Sequence, residues 1–237
     1  AAPLSAELHE FLEVSFCAPV VQGYGLSETC AVTCVSDESL WGRAEGHVGF
    51  PAPENEVVLQ SVPEMNYLVT DRPCPRGDIL IRGPNVFRGY YREPEKTAEV
   101  MTKDGFFCTG DIGQWNPNGT LAIIDRKKNI FKLAQGEYVA VEKLEQIFVR
   151  SPYVAQIWIY GNSERDCLVA VVVPDPETVL PWAKSKDMIA VCASPATEAL
   201  IIGDMNRLWA ESKLAGFERV HRVHLEPQEW TPESDAM

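Results

Sequence analysis

The sequence predicts a mixed α+β chain, with a β-rich lobe over residues 1–125 followed by a smaller α+β domain over residues 126–237. Three observations carry that prediction. Before Asp125 the apolar runs are short and punctuated by Gly and Pro, as at residues 46–51 and 73–77, a pattern of strands and turns. After Asp125, Val141, Leu144, Ile147 and Phe148 recur at helical spacing, and helical stretches alternate with apolar strands. Between the two, a short apolar strand at 121–124 breaks into Asp125-Arg126-Lys127-Lys128. No Pro/Ser-rich linker, internal repeat or low-complexity segment separates the halves, so the boundary reads as a hinge and not a tether.

The first lobe opens with a helix over residues 1–16. Leu4, Leu8, Phe11, Leu12 and Ser15 fall at helical spacing, and Pro3 suits a first turn. Val20-Val21 reads as a short strand running into Gln22-Gly23-Tyr24-Gly25-Leu26-Ser27-Glu28-Thr29. Two glycines around an aromatic let backbone approach a flat ligand closely. Ser27 and Thr29 supply hydroxyls and Glu28 a hard oxygen ligand, the parts needed to stack a base, hold a phosphate and share a Mg²⁺. An ordinary β-turn has the same composition, so these residues alone leave both readings open.

Residues 46–51 form a loop, and 56–60 and 78–82 read as strands joined by a long Pro/Gly turn. Residues 94–101 form a short helix, with Pro94 at its start and Gly105 beyond its end. Arg88-Gly89-Tyr90-Tyr91-Arg92 reads as surface and packing groups. Thr109-Gly110-Asp111 is a tight polar turn that can present two carboxylate oxygens to a vicinal diol, as acidic residues do in nucleotide sites. Asp111 capping its own turn is the alternative. Residues 116–119 make a hairpin turn, because Asn and Gly tolerate positive φ. Arg126, Lys127, Lys128 and Lys132 concentrate positive charge, either for a ligand or as a solvated face.

In the second domain the helix of Val141, Leu144, Ile147 and Phe148 stops before Pro152. Residues 155–160 and 167–173 are strands, the second apolar throughout and therefore expected to be buried. Helices over 176–185 and 196–214 and an alternating strand over 220–225 complete it. On that strand His221 and His224 point to opposite faces, which is poor metal spacing.

Composition limits the function classes. The net charge is −13; residues 1–125 carry 8 basic and 18 acidic groups, and residues 126–237 carry 13 and 16. Without a basic stripe, nucleic-acid binding is excluded as the main task. Seven scattered cysteines without a Cys-x-x-Cys argue against zinc and read as reduced thiols inside a cell. No apolar run approaches the roughly 18–20 residues of a transmembrane span. The first and last residues read as cuts through a longer protein.

Taken together and in order, Tyr24-Gly25-Leu26-Ser27-Glu28, Thr109-Gly110-Asp111 and Asp125-Arg126-Lys127-Lys128 resemble the adenylate-forming, AMP-binding superfamily. The 104–128 stretch and Phe131-Lys132-Leu133-Ala134-Gln135-Gly136-Glu137-Tyr138-Val139 are most similar to long-chain fatty acyl-CoA synthetases, and residues 46–49 and 86–91 match as well. The resemblance implies that residues 1–125 end the large AMP-binding domain and that 126–237 form most of the small mobile C-terminal domain. It implies a fatty acid, ATP and coenzyme A as substrates, with acyl-adenylate as intermediate and AMP and pyrophosphate as products.

Carried over, Tyr24 stacks on adenine between Gly23 and Gly25, Ser27 contacts phosphate, and Glu28 holds Mg²⁺. Asp111 binds the ribose hydroxyls with Arg126. Asp125, Lys127 and Lys128 contain the hinge, and Lys132 with Gly136-Glu137-Tyr138 joins the site for thioester formation. Val48 and Phe50 line part of an acyl tunnel or, alternatively, belong to the core. Peripheral membrane association, at the endoplasmic reticulum or the peroxisome, is a further implication. Cys108 stands where the family usually has His or another polar or aromatic residue, and Asn129 where it has Asp. The family's phosphate loop with its Lys, and its late catalytic Lys, do not occur in these residues, so the chain alone is expected not to adenylate. Another acyl or aryl adenylating ligase, and a non-catalytic binding module, are the alternative readings.

Overall fold

The computed structural model describes residue 4, residues 6–36 and residues 46–231. Backbone contacts divide it into two compact units, Ala1–Lys128 and Asn129–Met237.

The first unit begins with helix α1 (Ala6–Phe16), which leaves Phe11, Val14 and Phe16 largely exposed. Three short strands follow, β1 (Gly23–Tyr24), β2 (Cys34–Val35) and β3 (Phe50–Pro51), paired antiparallel in that order. Val20 and Val21 are not a strand. The carbonyl of Val20 accepts from His9 Nε2, and the Gln22 amide donates to Ser36 Oγ at 2.8 Å, so no ladder starts before Gly23.

The main sheet runs in sequence order, all antiparallel: β4 (Glu56–Gln60), β5 (Arg76–Arg82), β6 (Phe107–Trp115) and β7 (Leu121–Arg126). Ile79, Ile81 and Leu121 are fully buried in it, together with Cys34 from β2. Helix α2 (Pro94–Val100) lies between β5 and β6. The 116–119 turn closes β6 onto β7 with an Asn116–Thr120 backbone bond of 2.9 Å.

Two features differ from the sequence reading. Thr109-Gly110-Asp111 is not a turn but a bulge within β6. Asp78 pairs with Ile112 and Leu80 with Cys108, so β6 carries extra residues there, with Gly110 at φ +73°. The Thr109 hydroxyl donates to the Ile79 carbonyl at 2.9 Å and replaces the missing ladder bond. Asp125 and Arg126 also stay in the sheet, paired with Ile112 and Asp111. The compact units therefore divide three residues later than the charge pattern suggests.

The second unit opens with a hairpin, β8 (Ile130–Lys132) and β9 (Tyr138–Ala140), turning at Gly136 with φ +95°. Helix α3 (Val141–Phe148) leads to a three-stranded sheet of β10 (Val154–Tyr160), β11 (Leu168–Pro174) and β12 (Val220–Leu225). The β10–β11 pair is antiparallel and β11–β12 parallel, so a crossover is required. It is supplied by α4 (Pro176–Ala183), α5 (Met188–Cys192) and α6 (Pro195–Glu211). Asp175, Asp187 and Ser194 cap these helices by accepting backbone N–H groups of their first turns.

Leu144 and Phe148 of α3 and Ile201, Met205 and Leu208 of α6 form one core with Ile159, Leu168, Ala170 and Val172. That core covers one face of the sheet. Strand β11 is consequently not buried throughout: Val169 is exposed, and it pairs with the exposed Tyr160 of β10. Among the described residues, no helix is long and apolar enough to cross a membrane.

Leu144 is fully buried. Leu144→Ala is expected to destabilise the second unit by about 2–5 kcal/mol, the cost of a core cavity. The expected readout is a lower urea midpoint at an unchanged slope.

Candidate functional site

The turn after β1 is shaped by its own hydroxyl chemistry. Leu26 N donates to Thr29 Oγ1 at 3.0 Å, and that hydroxyl donates back to the Leu26 carbonyl at 3.1 Å. Thr33 Oγ1 donates to Thr29 Oγ1 at 3.0 Å. Thr29 is fully buried, so its hydroxyl belongs to the turn and does not face a ligand as the sequence suggested. Gly25 is required because a Cβ there would lie 1.5 Å from the Ala31 carbonyl oxygen. Its close approach is to the chain itself. Gly23 has no such constraint, its nearest neighbour being 3.6 Å from a Cβ position. The turn leaves Ser27 exposed and Glu28 half-buried.

The β6 bulge faces this turn. Asp111 is buried at 5% exposure, and its Oδ2 accepts from the Tyr24 hydroxyl at 2.7 Å. Its Oδ1 lies 3.6 Å from Arg126 Nε on β7. Burial pushes the Asp111 carboxyl above the usual carboxylate range, while the Tyr24 hydrogen bond and the Arg126 charge pull it down. Burial and the Asp111 charge push the Tyr24 phenol far up, so it stays a neutral donor.

Asp111 and Arg126 share one cavity of about 520 Å³ with Gly25, Ser27, Glu28 and Tyr90, whereas Gly23 and Tyr24 do not line it and Tyr24 packs on the first unit's core. Cys108 and Lys128 also reach the cavity. The Cys108 thiol is pushed up by burial and by Asp78, which makes it a poor nucleophile. The arrangement pairs two carboxylates with two cationic side chains, an exposed hydroxyl and a phenol. Such a surface suits a ligand carrying both a diol and an anionic group.

Apart from Lys128, the remaining sequence candidates lie outside this cavity. Asp125 is buried, and its Oδ1 accepts from the Arg126 amide at 2.6 Å. Lys127 is held twice, its amide donating to the Gly110 carbonyl at 2.8 Å and its ammonium lying 3.4 Å from Asp78 Oδ2. Lys128 is exposed, the last residue of the first unit. Val48 packs on the first unit's core and Phe50 lies in β3. In the second unit Lys132 is exposed, its ammonium 5.4 Å from the centre of the Tyr138 ring.

Tyr90 is the residue the sequence reading missed. It lies in a stretch assigned to surface packing, yet its hydroxyl donates to Glu28 Oε1 at 2.9 Å. The two are far apart in sequence, so no local spacing signals the pair.

The fold is that of the adenylation domain of adenylate-forming enzymes. The adenylation domain of a Segniliparus rugosus carboxylic acid reductase, solved with AMP and a co-purified carboxylic acid, matches 98% of this chain. Its TM-score is 0.83 at 35% identity, and the match spans 33% of that protein. Residues 1–91 match the AMP-binding enzyme family. Along its whole length the chain is similar to long-chain acyl-CoA synthetases. It is 49% identical to fatty acyl-CoA synthetase A of Dictyostelium discoideum over 100% of the chain and 36% of the relative. It is 47% identical to the peroxisomal long-chain acyl-CoA synthetase 6 of Arabidopsis thaliana over 99% and 34%. The chain thus spans about a third of the length of the proteins it matches.

Because Asp111 has its carboxyl raised by burial, its charged form costs stability above the folded-state pKa and costs nothing once both folded and unfolded chains are protonated. Asp111→Asn keeps an acceptor for Tyr24 and removes the buried charge. The variant is expected to melt at a higher temperature than the parent at pH 7, and the gap to close as pH falls through the carboxylate range. Melting curves at several pH values check this.

Proposed function

We propose that this chain forms part of an ATP-dependent long-chain fatty acid–CoA ligase and supplies half of its nucleotide site. The observation that carries the reading is the single cavity in which Ser27 and Glu28 of one turn meet Asp111 and Arg126 of the sheet. A carboxylate is a poor electrophile because its leaving group would be oxide. Forming a mixed anhydride with AMP gives it a stabilised phosphate to expel when the thiol of coenzyme A attacks. The protein's task is to bring two anions together and offset their repulsion.

In this reading Asp111, held by Tyr24, accepts hydrogen bonds from the ribose hydroxyls, and Arg126 lies beside them. The hydroxyl of Tyr24 is engaged by Asp111, so the group it offers adenine is its ring, with Gly23 and Gly25 alongside. Ser27 donates to a phosphate oxygen. Glu28 fits a Mg²⁺ bound largely by phosphate and water: among the described residues no cluster of three His, Cys, Asp or Glu could hold a metal alone, and Mg²⁺ sites of this kind need only one or two carboxylates. When bound, the metal screens phosphate charge.

The small unit rotates about Lys128 between the half-reactions, since Asp125 and Lys127 are fixed by the sheet. In this reading Lys132 and the 136–138 loop serve thioester formation. A peroxisomal or endoplasmic-reticulum setting with peripheral membrane attachment goes with this reading, one relative being named as peroxisomal.

The test is fatty-acid-dependent ATP–pyrophosphate exchange by the full-length protein. Asp111→Ala is expected to lower kcat/KM for ATP by about 10- to 100-fold, the value of hydrogen bonds to a charged group. Exchange that is unaffected by this substitution overturns the assignment of the site. Lys128→Pro is expected to lower thioester formation, measured as acyl transfer from preformed acyl-adenylate, at least about tenfold more than it lowers exchange. Equal losses in both half-reactions remove the hinge.

A further inference from the structure

We propose that Tyr90 is a positioning residue that restricts Glu28 to one free carboxylate oxygen and thereby biases the site toward Mg²⁺ over Ca²⁺. The inference rests on the nucleotide-site reading above and deepens it.

The segment after β5 grips the Ser27–Thr29 turn at three points. Asn85 Nδ2 donates to the Thr29 carbonyl at 2.9 Å, the Phe87 amide donates to the Glu28 carbonyl at 2.7 Å, and the Tyr90 hydroxyl donates to Glu28 Oε1 at 2.9 Å. Backbone and side chain of Glu28 are thus both fixed from the same segment. Tyr90 is itself held in place. Its amide donates to Thr97 Oγ1 at 2.9 Å, and that hydroxyl donates to the Glu93 carbonyl. Gly89 permits this approach: its φ is +141°, and a Cβ there would lie 2.5 Å from Thr97 Cγ2. The Tyr90 ring packs edge-on against Phe87 with centroids 4.9 Å apart, and Phe87 packs in the same manner on Phe107 at 5.5 Å.

The hydroxyl therefore arrives at Glu28 from a rigid support. With Oε1 accepting from Tyr90, Oε2 is the oxygen left for a cation. Mg²⁺ requires near-octahedral geometry at about 2.0–2.1 Å, and two oxygens of one carboxylate are too close together to occupy neighbouring octahedral positions. Ca²⁺, at about 2.3–2.6 Å and with six to eight ligands, readily takes both. An oxygen that accepts one hydrogen bond keeps a second lone pair, so engaging Oε1 leaves Mg²⁺ its ligand at Oε2 and weakens, without abolishing, bidentate binding of Ca²⁺.

The experiment compares the full-length protein with Tyr90→Phe, which keeps the ring packing and removes only the hydroxyl. Calorimetry measures binding of a non-hydrolysable ATP analogue in saturating Mg²⁺ and in saturating Ca²⁺, and of AMP without metal. The expected result is a Mg²⁺-over-Ca²⁺ preference reduced at least about fivefold in the variant, mainly through tighter binding with Ca²⁺, with AMP affinity and melting temperature unchanged. A preference unchanged within about twofold overturns the proposal, whether or not the variant is less stable. If the parent protein binds the analogue with no dependence on metal, the nucleotide-site reading of Glu28 fails first and this inference falls with it. Metal-dependent binding by the parent with an unaltered preference in Tyr90→Phe removes the role of Tyr90 alone.

Discussion

The hydrogen bond from Tyr24 to Asp111 is the interaction on which the site depends. It joins the short strand before the Ser27–Thr29 turn to the bulged strand β6, and so fixes the distance between the two halves of the cavity. A buried carboxylate is expensive unless donors satisfy it. Asp111 has one neutral donor at close range and one exposed cation at 3.6 Å, which does not cancel the burial: its carboxyl remains raised. This incomplete compensation is the expected state of a group that awaits another donor. In the proposed reading, a diol supplying two O–H groups would complete the shell and turn that cost into a gain on binding. Stability and recognition are set against each other at one residue.

The neighbouring pair, Asp78 and Lys127, shows the same physics on the structural side. Asp78 Oδ2 faces the Lys127 ammonium at 3.4 Å, while Oδ1 is buried without a hydrogen-bond partner. Burial outweighs the ion pair and the carboxyl is raised. Two raised carboxylates one strand apart give the chain's acidic composition a local meaning: Arg126 and Lys127 counter this charge, and are not merely a solvated face.

Much of this was legible in the sequence, and what was not has definite causes. Strand β4 and helix α3 follow from their periodicity, because each buries a single face against a core formed nearby, whereas β12 buries Val220 and Leu225 across a register shift that the alternation does not reveal. The 109–111 bulge read as a turn because Thr-Gly-Asp has turn chemistry. Only the pairing of Asp78 with Ile112 and Leu80 with Cys108 reveals that the strand continues through it. Thr29 looked like a ligand for the same reason that Ser27 did. Which hydroxyl turns inward depends on Leu26 and Thr33, and composition does not encode that direction. Tyr90 escaped notice because its partner Glu28 is brought to it by the sheet and not by sequence spacing.

The sheet also limits where motion can start. Asp125 and Arg126 looked like the beginning of a hinge because charge interrupts an apolar run. In the fold their backbones belong to β7, and Asp125 is buried with its carboxylate bound to the next amide. Lys127 is tied by its amide to Gly110, the residue immediately before Asp111. Rotation about any of these three would pull on the bulge that carries Asp111. A hinge that is to leave the nucleotide undisturbed must therefore lie beyond them, and Lys128, exposed and at the division between the compact units, is the first residue that satisfies the condition. The backbone bond from Lys127 to Gly110 thus separates the binding task from the moving task. The same short strand holds Arg126 3.6 Å from Asp111 and gives way, two positions later, to an exposed residue at the division between the units.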